Sequence, residues 1–388
     1  MKSMNENIQD IIVNRLDLSV NMSEDEMIDE IDEQIQRLSK GRILTISDRE
    51  KLRKDVFHNI RKFGQIQELL DDPEITEIMV NGTDAIFIEK KGLLYKSDKR
   101  FESKDKLLKV IWQITADCNR VVNESSPIVD ARLPDGARVN VVLDPIALNG
   151  PILTIRRFPP EPITMKDLIE MKSLSKAAAD FLKTAVEKGL NILVSGGTGT
   201  GKTTFLNVLS NYIPSKERVI TIEDSAELQL QNLPNLVRLE TRNANVEGCR
   251  EITIRDLIKS SLRMRPDRII VGEVRSKEAI DMLQSINVGH SAMTTVHANS
   301  VKDVVSRLET MVLMGMDIPV GAIRGQIASG FDLMVHLGRC SDGSRKVMEI
   351  AEPLDIVEGS IRMNTIFEYR NERLTMVGEM VNEKDRKK

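Results

Sequence analysis

The chain has 388 residues, enough for about two or three domains that each bury a core. Hydrophobic residues make up 41% of it and charged residues 29%, a balance that excludes a disordered or fibrous protein. The net charge of -4 excludes a general attraction to nucleic acid or to an anionic membrane. No apolar run approaches the roughly 18 residues that span a bilayer, and Met1 to Asp10 lack the apolar stretch of a signal peptide. We therefore expect a cytoplasmic chain that reaches a membrane only through partners or a surface.

The cysteines give no sign of a disulfide framework or of a zinc site. There are three, Cys118, Cys249 and Cys340, and they lie far apart without a CxxC pair. We expect reduced thiols.

Residues 1–45 form a polar arm that contains one amphipathic helix. Apolar residues recur at helical spacing between Ser23 and Ile35, within an acidic stretch. Ser23 followed by Glu26 is typical of a capping box at a helix start.

Residues 46–157 have the mixed pattern of a smaller α+β domain. Helical patterns run near Asp48–Leu70 and Lys104–Asn119. Strand patterns alternate with turn residues, at Ile75–Val80, Ala85–Glu89, Ala137–Leu143 and Ile152–Arg156.

Residues 158–164 are predicted to be a linker, because three prolines between Phe158 and Ile163 impose an extended, stiff backbone. Residues 165–388 then alternate short apolar runs with helical patterns. The predicted strands are Asn191–Ser195, Val219–Ile222 and Arg268–Val271, and the predicted helices are Ser175–Lys188, Thr203–Tyr212 and Thr253–Arg263. This alternation predicts an α/β domain with a parallel sheet core, followed by the charged tail Glu383–Lys388.

A phosphate-binding loop follows the first of these strands and opens a helix, the context that the motif GxxxxGK[ST] requires. Its glycines let backbone N–H groups approach phosphate oxygens, and the helix N-terminus adds a positive dipole end. Lys202 supplies charge at the β- and γ-phosphates, and the Thr203 hydroxyl is a ligand for magnesium. The residues predicted to bind ATP here are Gly196, Gly197, Thr198, Gly199, Thr200, Gly201, Lys202, Thr203 and Thr204.

Carboxylates end two further strands. Glu223 and Asp224 follow one strand, and Glu273 follows another in the arrangement of a Walker B strand. Parallel strand ends converge on the crevice that holds the phosphates, so we expect these acids beside the nucleotide. We assign Glu223 to orienting or deprotonating water and Glu273 to Mg²⁺, directly or through water. The reverse assignment stays open, because Gly272 stands where many Walker B strands carry an aspartate.

Two of the four histidines, His290 and His297, flank a polar Thr-Thr segment after the Walker B strand. Without further cysteines or histidines nearby, they do not form a zinc site. We predict that this segment senses the γ-phosphate.

These motifs resemble the type II/type IV secretion ATPases, and most closely the CpaF-like ATPases of Tad (Flp) pilus assembly. The resemblance runs from about Asp71 to Met348. Its specific motifs are the P-loop, Ile75–Gly82, Val129–Asn140, Ile252–Leu257 and Leu262–Arg275, with Glu223-Asp224 similar to the family's Asp box and His290 with His297 to its His box.

The resemblance implies a homo-hexameric ring of C-terminal RecA-like domains that bind ATP and Mg²⁺ against N-terminal domains. It also implies an inner-membrane platform protein as partner and a place at the inner face of the cytoplasmic membrane. Arginines of the N-terminal domain would reach the phosphates, and by position Arg138 and Arg156 match them best, followed by Arg132 and Arg157.

Three other interpretations stay open. A conjugation-type secretion ATPase shares nearly all of these motifs. A nucleic-acid translocase on the same fold is disfavoured by the net negative charge of the chain. It is also disfavoured by the absence of a basic surface with aromatic residues that would bind single-stranded nucleic acid. A non-catalytic ring scaffold is disfavoured by the presence of Lys202, Thr203, Glu223 and Glu273 together.

Overall fold

A computed structural model of the chain describes residues 11, 23–38, 45–90, 92–157, 162–242 and 250–382. Residues 158–161 of the predicted linker, Cys249 and the tail lie outside these ranges. The chain divides into two compact units, Met1–Glu161 and Pro162–Lys388. Ile163, which belongs to the predicted linker, packs against the core of the second unit. Within the described residues, no helix is both long enough and apolar enough to cross a bilayer.

Two helices begin the described part of the first unit, α1 (Glu24–Leu38) and α2 (Ile46–Arg61). The apolar stripe of α1, including Ile31 and Ile35, packs against α2 in a small core. The Glu26 N–H donates to Ser23 Oγ and the Ser23 N–H donates to Glu26, so the predicted capping contacts are present. The predicted helix to Leu70 is interrupted, because the backbone becomes extended at Lys62.

An antiparallel sheet of six strands follows a short helix, α3 (Gln67–Asp71), and is covered by α4 (Lys104–Asp117). The strand order is β3-β2-β1-β6-β5-β4. The strands are β1 (Ile75–Asn81), β2 (Ala85–Lys90), β3 (Leu93–Lys96), β4 (Ile128–Arg132), β5 (Arg138–Val142) and β6 (Ile152–Arg156). The predictions missed β3 and β4. The residues of β3 are all exposed and show no alternation of burial.

The second unit is a nine-stranded sheet in the order β15-β14-β13-β12-β7-β11-β10-β8-β9. Its strands are β7 (Ile192–Gly196), β8 (Val219–Glu223), β9 (Leu236–Glu240), β10 (Arg268–Val271), β11 (Ser291–Val296), β12 (Leu333–Arg339), β13 (Arg345–Val357), β14 (Ser360–Arg370) and β15 (Arg373–Met376). Six neighbouring strands, in the sheet order β12-β7-β11-β10-β8-β9, are parallel, as predicted. Strands β13 to β15 extend the sheet beyond β12 as antiparallel strands.

Helices cover both faces of this sheet, and a separate apolar core lies on each face. They are α5 (Met165–Glu170), α6 (Lys176–Glu187), α7 (Lys202–Ser210), α8 (Ile254–Ser261), α9 (Glu278–Asn287), α10 (Val301–Gly315) and α11 (Val320–Gly330). Fully buried strands such as β7 and β8 read as near-continuous apolar runs for this reason. The predicted α/β fold with a parallel-sheet core is confirmed.

Candidate active site

The P-loop connects β7 to α7 and folds back on itself. Gly201 precedes the helix with a φ of 89°, a backbone conformation that glycine adopts without steric cost. The Thr200 hydroxyl and the Lys202 ammonium both donate to the Gly197 carbonyl, at 2.9 and 3.1 Å. Burial lowers the pKa of Lys202 below its usual value. The loop therefore presents backbone N–H groups and one buried ammonium at a helix N-terminus, an arrangement suited to phosphate.

The carboxyl ends of β8, β10 and β11 lie at the same edge of the sheet as the P-loop. The register pairs Ser195 with Val296, and Val271 with both Thr294 and Ile222. The residues that follow these strands, including Glu223, Glu273 and His297, consequently gather at this edge.

Glu223 is a buried carboxylate with two unlike oxygens. Its side chain is only 3% exposed, and Oε1 accepts the backbone N–H groups of Glu227 and Leu228 at 2.8 and 2.9 Å. Oε2 is buried without a hydrogen-bond partner. Burial raises the pKa of Glu223, against the effect of the two N–H donors. A carboxylate anchored through one oxygen, with the other not hydrogen-bonded, is suited to orient or deprotonate a water molecule that enters beside it.

Gly272 makes room for Glu223, which explains the absent Walker B aspartate. A Cβ placed on Gly272 would lie 3.0 Å from Glu223 Cγ. Any side chain at residue 272 would thus compete with Glu223 for the same space.

His297 lies between Lys202 and Glu273. Its Nε2 is 2.8 Å from Glu273 Oε1, a short contact that is poorly aligned for a hydrogen bond, and its Nδ1 is 3.3 Å from Lys202 Nζ. Burial lowers the pKa of His297. The Glu273 carboxylate opposes this shift, and the positive charges of Lys202 and Arg275 add to it. The His297 ring therefore contacts both Lys202 and the carboxylate that follows β10.

Two arginines that the sequence analysis did not assign also contact this site. Arg275 Nη2 lies 2.6 Å from Glu273 Oε2, and this hydrogen bond raises the pKa of Arg275. Arg345 Nε donates to the Gly199 carbonyl of the P-loop at 2.9 Å. Arg275 stands within a quoted motif, whereas Arg345 reaches the loop from β13, 146 residues away in sequence, and only the fold reveals it.

His290 does not join the site, which corrects the prediction that it senses the γ-phosphate with His297. It precedes β11, whose first residue, Ser291, donates through Oγ to the carbonyl of Gly189, three residues before β7. A strand rises about 3.3 Å per residue, so His290 lies roughly 20 Å from His297. A strand separates the two histidines, so they lie at opposite edges of the sheet.

Arginines of the first unit form a row across its sheet. Arg132 is paired with Arg138, Arg138 with Arg156, and Arg156 with Glu77. Directly opposed residues in a sheet point to the same face, so the three arginines share one face. Arg157 differs, because its Nη1 donates to the carbonyls of Asp72 and Ile75 at 2.7 and 3.3 Å and so stabilises its own unit.

A cavity of about 380 Å³ opens beside the P-loop in the second unit. Thr200, Gly201 and Thr204 line it on the loop side. Six apolar residues line part of the remaining wall, namely Ile163, Leu168, Met171, Phe205, Leu337 and Val347. The rest of the wall is formed by Ser173, Gly343, Ser344, Arg345 and Lys346. Such a cavity is suited to a flat aromatic group attached to phosphates bound at the loop.

The side chains at the sheet edge fit a nucleotide-bound magnesium ion. The Thr203 hydroxyl and the Glu273 carboxylate are hard oxygen donors, the type that Mg²⁺ prefers. Within the described residues there is no group of three or more His, Cys, Asp or Glu that would hold a metal ion without the nucleotide. Magnesium is commonly held by one or two protein oxygens together with substrate phosphates, which matches this donor set.

The parallel sheet and the loop at its edge define the second unit as the nucleotide-binding domain of a P-loop ATPase. The family model described as "Type II/IV secretion system protein" matches residues 59–386, so the chain belongs to this family. This confirms the superfamily of secretion ATPases that the motifs predicted.

Known relatives cover most of the chain. A putative conjugal transfer protein of Mycobacterium tuberculosis is 33% identical over 311 residues, 78% of this chain and 88% of that protein. The type IV secretion system protein PtlH of Bordetella pertussis is 31% identical over 303 residues, 71% of this chain and 89% of that protein. Among solved structures, the ATPase DotB of Yersinia pseudotuberculosis has a TM-score of 0.55 at 19% identity, covering 74% of this chain and 77% of that one, and supports the fold alone.

Proposed function

We propose that the chain hydrolyses ATP and uses the energy to drive secretion or pilus assembly. The observation that carries the proposal is the meeting of Lys202, Glu223, Glu273 and His297 at the strand edge beside the P-loop. The loop residues Gly196–Thr204 bind the phosphates, and the apolar cavity beside them takes the base. Glu223 orients or deprotonates the attacking water through Oε2, while Oε1 stays on its two N–H donors.

Thr203 and Glu273 would hold the magnesium ion, directly or through water. When bound, this ion supplies positive charge that stabilises the transferring phosphoryl group. His297 lies 2.8 Å from one oxygen of Glu273 and also contacts Lys202, so it links the acid to the phosphate-binding lysine.

We further propose that the active form is a homo-hexamer at the inner face of the cytoplasmic membrane, working on a platform protein of that membrane. In this form Arg138 and Arg156 of one subunit act on ATP bound by another. The shared face of the arginine row supports this role, because guanidinium groups stabilise charge on a transferring phosphoryl group. The motifs favour a Tad-type pilus machine without direct contact to nucleic acid.

A conjugation-type secretion motor is the second candidate. It is favoured by the naming of the Mycobacterium tuberculosis relative, a putative conjugal transfer protein. Neighbouring genes distinguish the two, since pilin and platform genes accompany a pilus motor and mating-channel genes accompany a conjugation motor.

The first test is steady-state ATP hydrolysis by the purified chain, compared with Lys202→Ala and with the exposed-site control Lys188→Ala. The mass in solution is measured with and without ATP. Turnover that depends on Lys202 but not on Lys188, with a shift toward six subunits, supports the proposal. An ATP-binding monomer without turnover would mean that a missing partner completes the site or that the chain is a scaffold, whereas a hexamer that binds ATP without turnover contradicts the motor.

A further inference from the structure

Arg275 lies between two carboxylates that the ends of β8 and β10 bring together. Its Nη2 contacts Glu273 Oε2 at 2.6 Å, and its Nη1 reaches Asp224 Oδ2 at 3.5 Å. One guanidinium is thus shared unequally, since it binds Glu273 closely and Asp224 only at the limit of a hydrogen bond.

The backbone at Arg275 is fixed while its side chain has room to move. The N–H groups of Arg275 and Ser276 both donate to Glu278 Oε1, at 2.6 and 2.8 Å, and the Val274 N–H donates to the Thr295 carbonyl at 2.9 Å. The Arg275 side chain is nevertheless 59% exposed. A guanidinium with several donors on a long stem can pass between the two acids by side-chain rotation alone.

We propose that Arg275 is a positioning residue that holds Glu273 before magnesium-nucleotide binds and then passes to Asp224. This rests on the proposed function, in which Glu273 helps to hold the ion. Arg275 gives up Glu273 because its guanidinium and a bound cation compete for the same oxygen. Asp224 stabilises the guanidinium after it leaves, and His297 stays beside the other oxygen of Glu273.

Two single substitutions should shift magnesium dependence in opposite directions. Arg275→Gln removes the competitor, so the Mg²⁺ concentration for half-maximal binding of a fluorescent ATP analogue falls. Asp224→Asn removes the alternative partner, so Arg275 stays on Glu273 and that concentration rises. We expect changes of about two- to fivefold, the size of a partly exposed ion pair.

The double variant Arg275→Gln/Asp224→Asn distinguishes this exchange from simple electrostatics. If each charge acted on the ion independently, the two effects would add and largely cancel. If Arg275 passes between the acids, Asp224→Asn has no effect once Arg275 is absent, and the double variant behaves like Arg275→Gln. Arg275→Lys should give an intermediate value, because an ammonium holds one carboxylate less specifically than a guanidinium does.

The ion pair Arg362–Asp355 on the β13–β14 hairpin supplies matched controls, with an N–O distance of 2.7 Å. Arg362→Gln and Asp355→Asn make the same charge changes and should leave the magnesium dependence unchanged. Additive effects at Arg275 and Asp224, in a protein that still binds nucleotide with magnesium, would overturn the exchange alone. The proposed function would fall as well if the unmodified protein did not bind the ATP analogue, or bound it equally well without magnesium or with Lys202→Ala.

Discussion

At the scale of single residues, Glu223 combines a catalytic assignment with an unfavourable environment. Burial raises its pKa, so the folded protein favours the protonated side chain more than the unfolded chain does. A carboxyl group of this kind stabilises the fold at low pH, and its contribution is lost as pH rises through the folded-state pKa. The ionised form of Glu223 therefore lowers the stability of the fold.

Glu223→Gln should separate stability from activity. The glutamine Oε1 retains the two backbone N–H donors but provides no base, so turnover should fall by about 10²- to 10³-fold while ATP still binds. The melting temperature at about pH 8 should be equal to or higher than that of the unmodified protein, and the difference should shrink toward about pH 5.

Melting curves across this pH range and hydrolysis rates at one pH check both parts. The exposed-site change Glu187→Gln on α6 is the control and should alter neither. Near-full hydrolysis by Glu223→Gln, combined with loss of hydrolysis in Glu273→Gln, would reverse the assignment of the two acids.

Gly272→Ala tests whether the space beside Glu223 matters. The new Cβ would lie 3.0 Å from Glu223 Cγ, so the carboxylate must shift. We expect a loss of stability of about 1–3 kcal/mol and a fall in kcat of at least about tenfold, with ATP affinity little changed. Gly321→Ala, where an added Cβ meets nothing within 4 Å, should leave hydrolysis unchanged. Full activity of Gly272→Ala would show that Glu223 is not held by this contact.

At the scale of elements, the sequence predicted the segments whose local pattern agrees with their burial. The buried strands β7, β8 and β10 read as apolar runs, and the P-loop glycines mark the turn into α7. The antiparallel strands β13–β15 were missed because exposed, polar residues interrupt them, so neither strand nor helix periodicity stands out. Arg345 was missed with them, since its contact with Gly199 depends on sheet topology.

The two histidines show a different limit of sequence reasoning. His290 and His297 share one short motif, which suggested a common role. The eight residues from His290 to His297 are the six of strand β11 and one flanking residue on each side, and an extended strand separates its ends as far as it can. The two histidines are therefore close in sequence but lie at opposite edges of the sheet.

The buried ion pair at the start of β10 should be important for stability. Arg268 is fully buried, and its Nε and Nη2 donate to Glu217 at 3.0 and 3.3 Å, while Nη2 also donates to the Val186 carbonyl. Arg268→Ala leaves Glu217 buried without this partner, so the free energy of unfolding should fall by about 3–5 kcal/mol. Denaturant unfolding measures the change.

Arg263→Ala, at an exposed position just before the same strand, is the matched control and should change stability by less than about 0.5 kcal/mol. The paired replacement Arg268→Met/Glu217→Leu should recover part of the loss, because it removes the second buried charge as well. Equal stability of Arg268→Ala and Arg263→Ala would show that the pair contributes little.

At the scale of the whole molecule, the proposed motor divides its chemistry between the two units. Lys202 belongs to the second unit, whereas Arg138 and Arg156 belong to the first. If these arginines act on ATP bound by another subunit, a variant without them can still supply an intact P-loop, and a Lys202 variant can still supply intact arginines.

This predicts complementation between two inactive variants. Arg138→Ala/Arg156→Ala should bind ATP normally but turn over at least about 10³-fold more slowly, and Lys202→Ala should not hydrolyse ATP. Mixed oligomers of the two should regain part of the activity, because some neighbouring pairs combine a functional P-loop with functional arginines. Hydrolysis is measured across mixing ratios after subunit exchange, with each variant mixed with itself as control. A mixture as inactive as its components, with exchange verified by mass, would show that the arginines do not act between subunits.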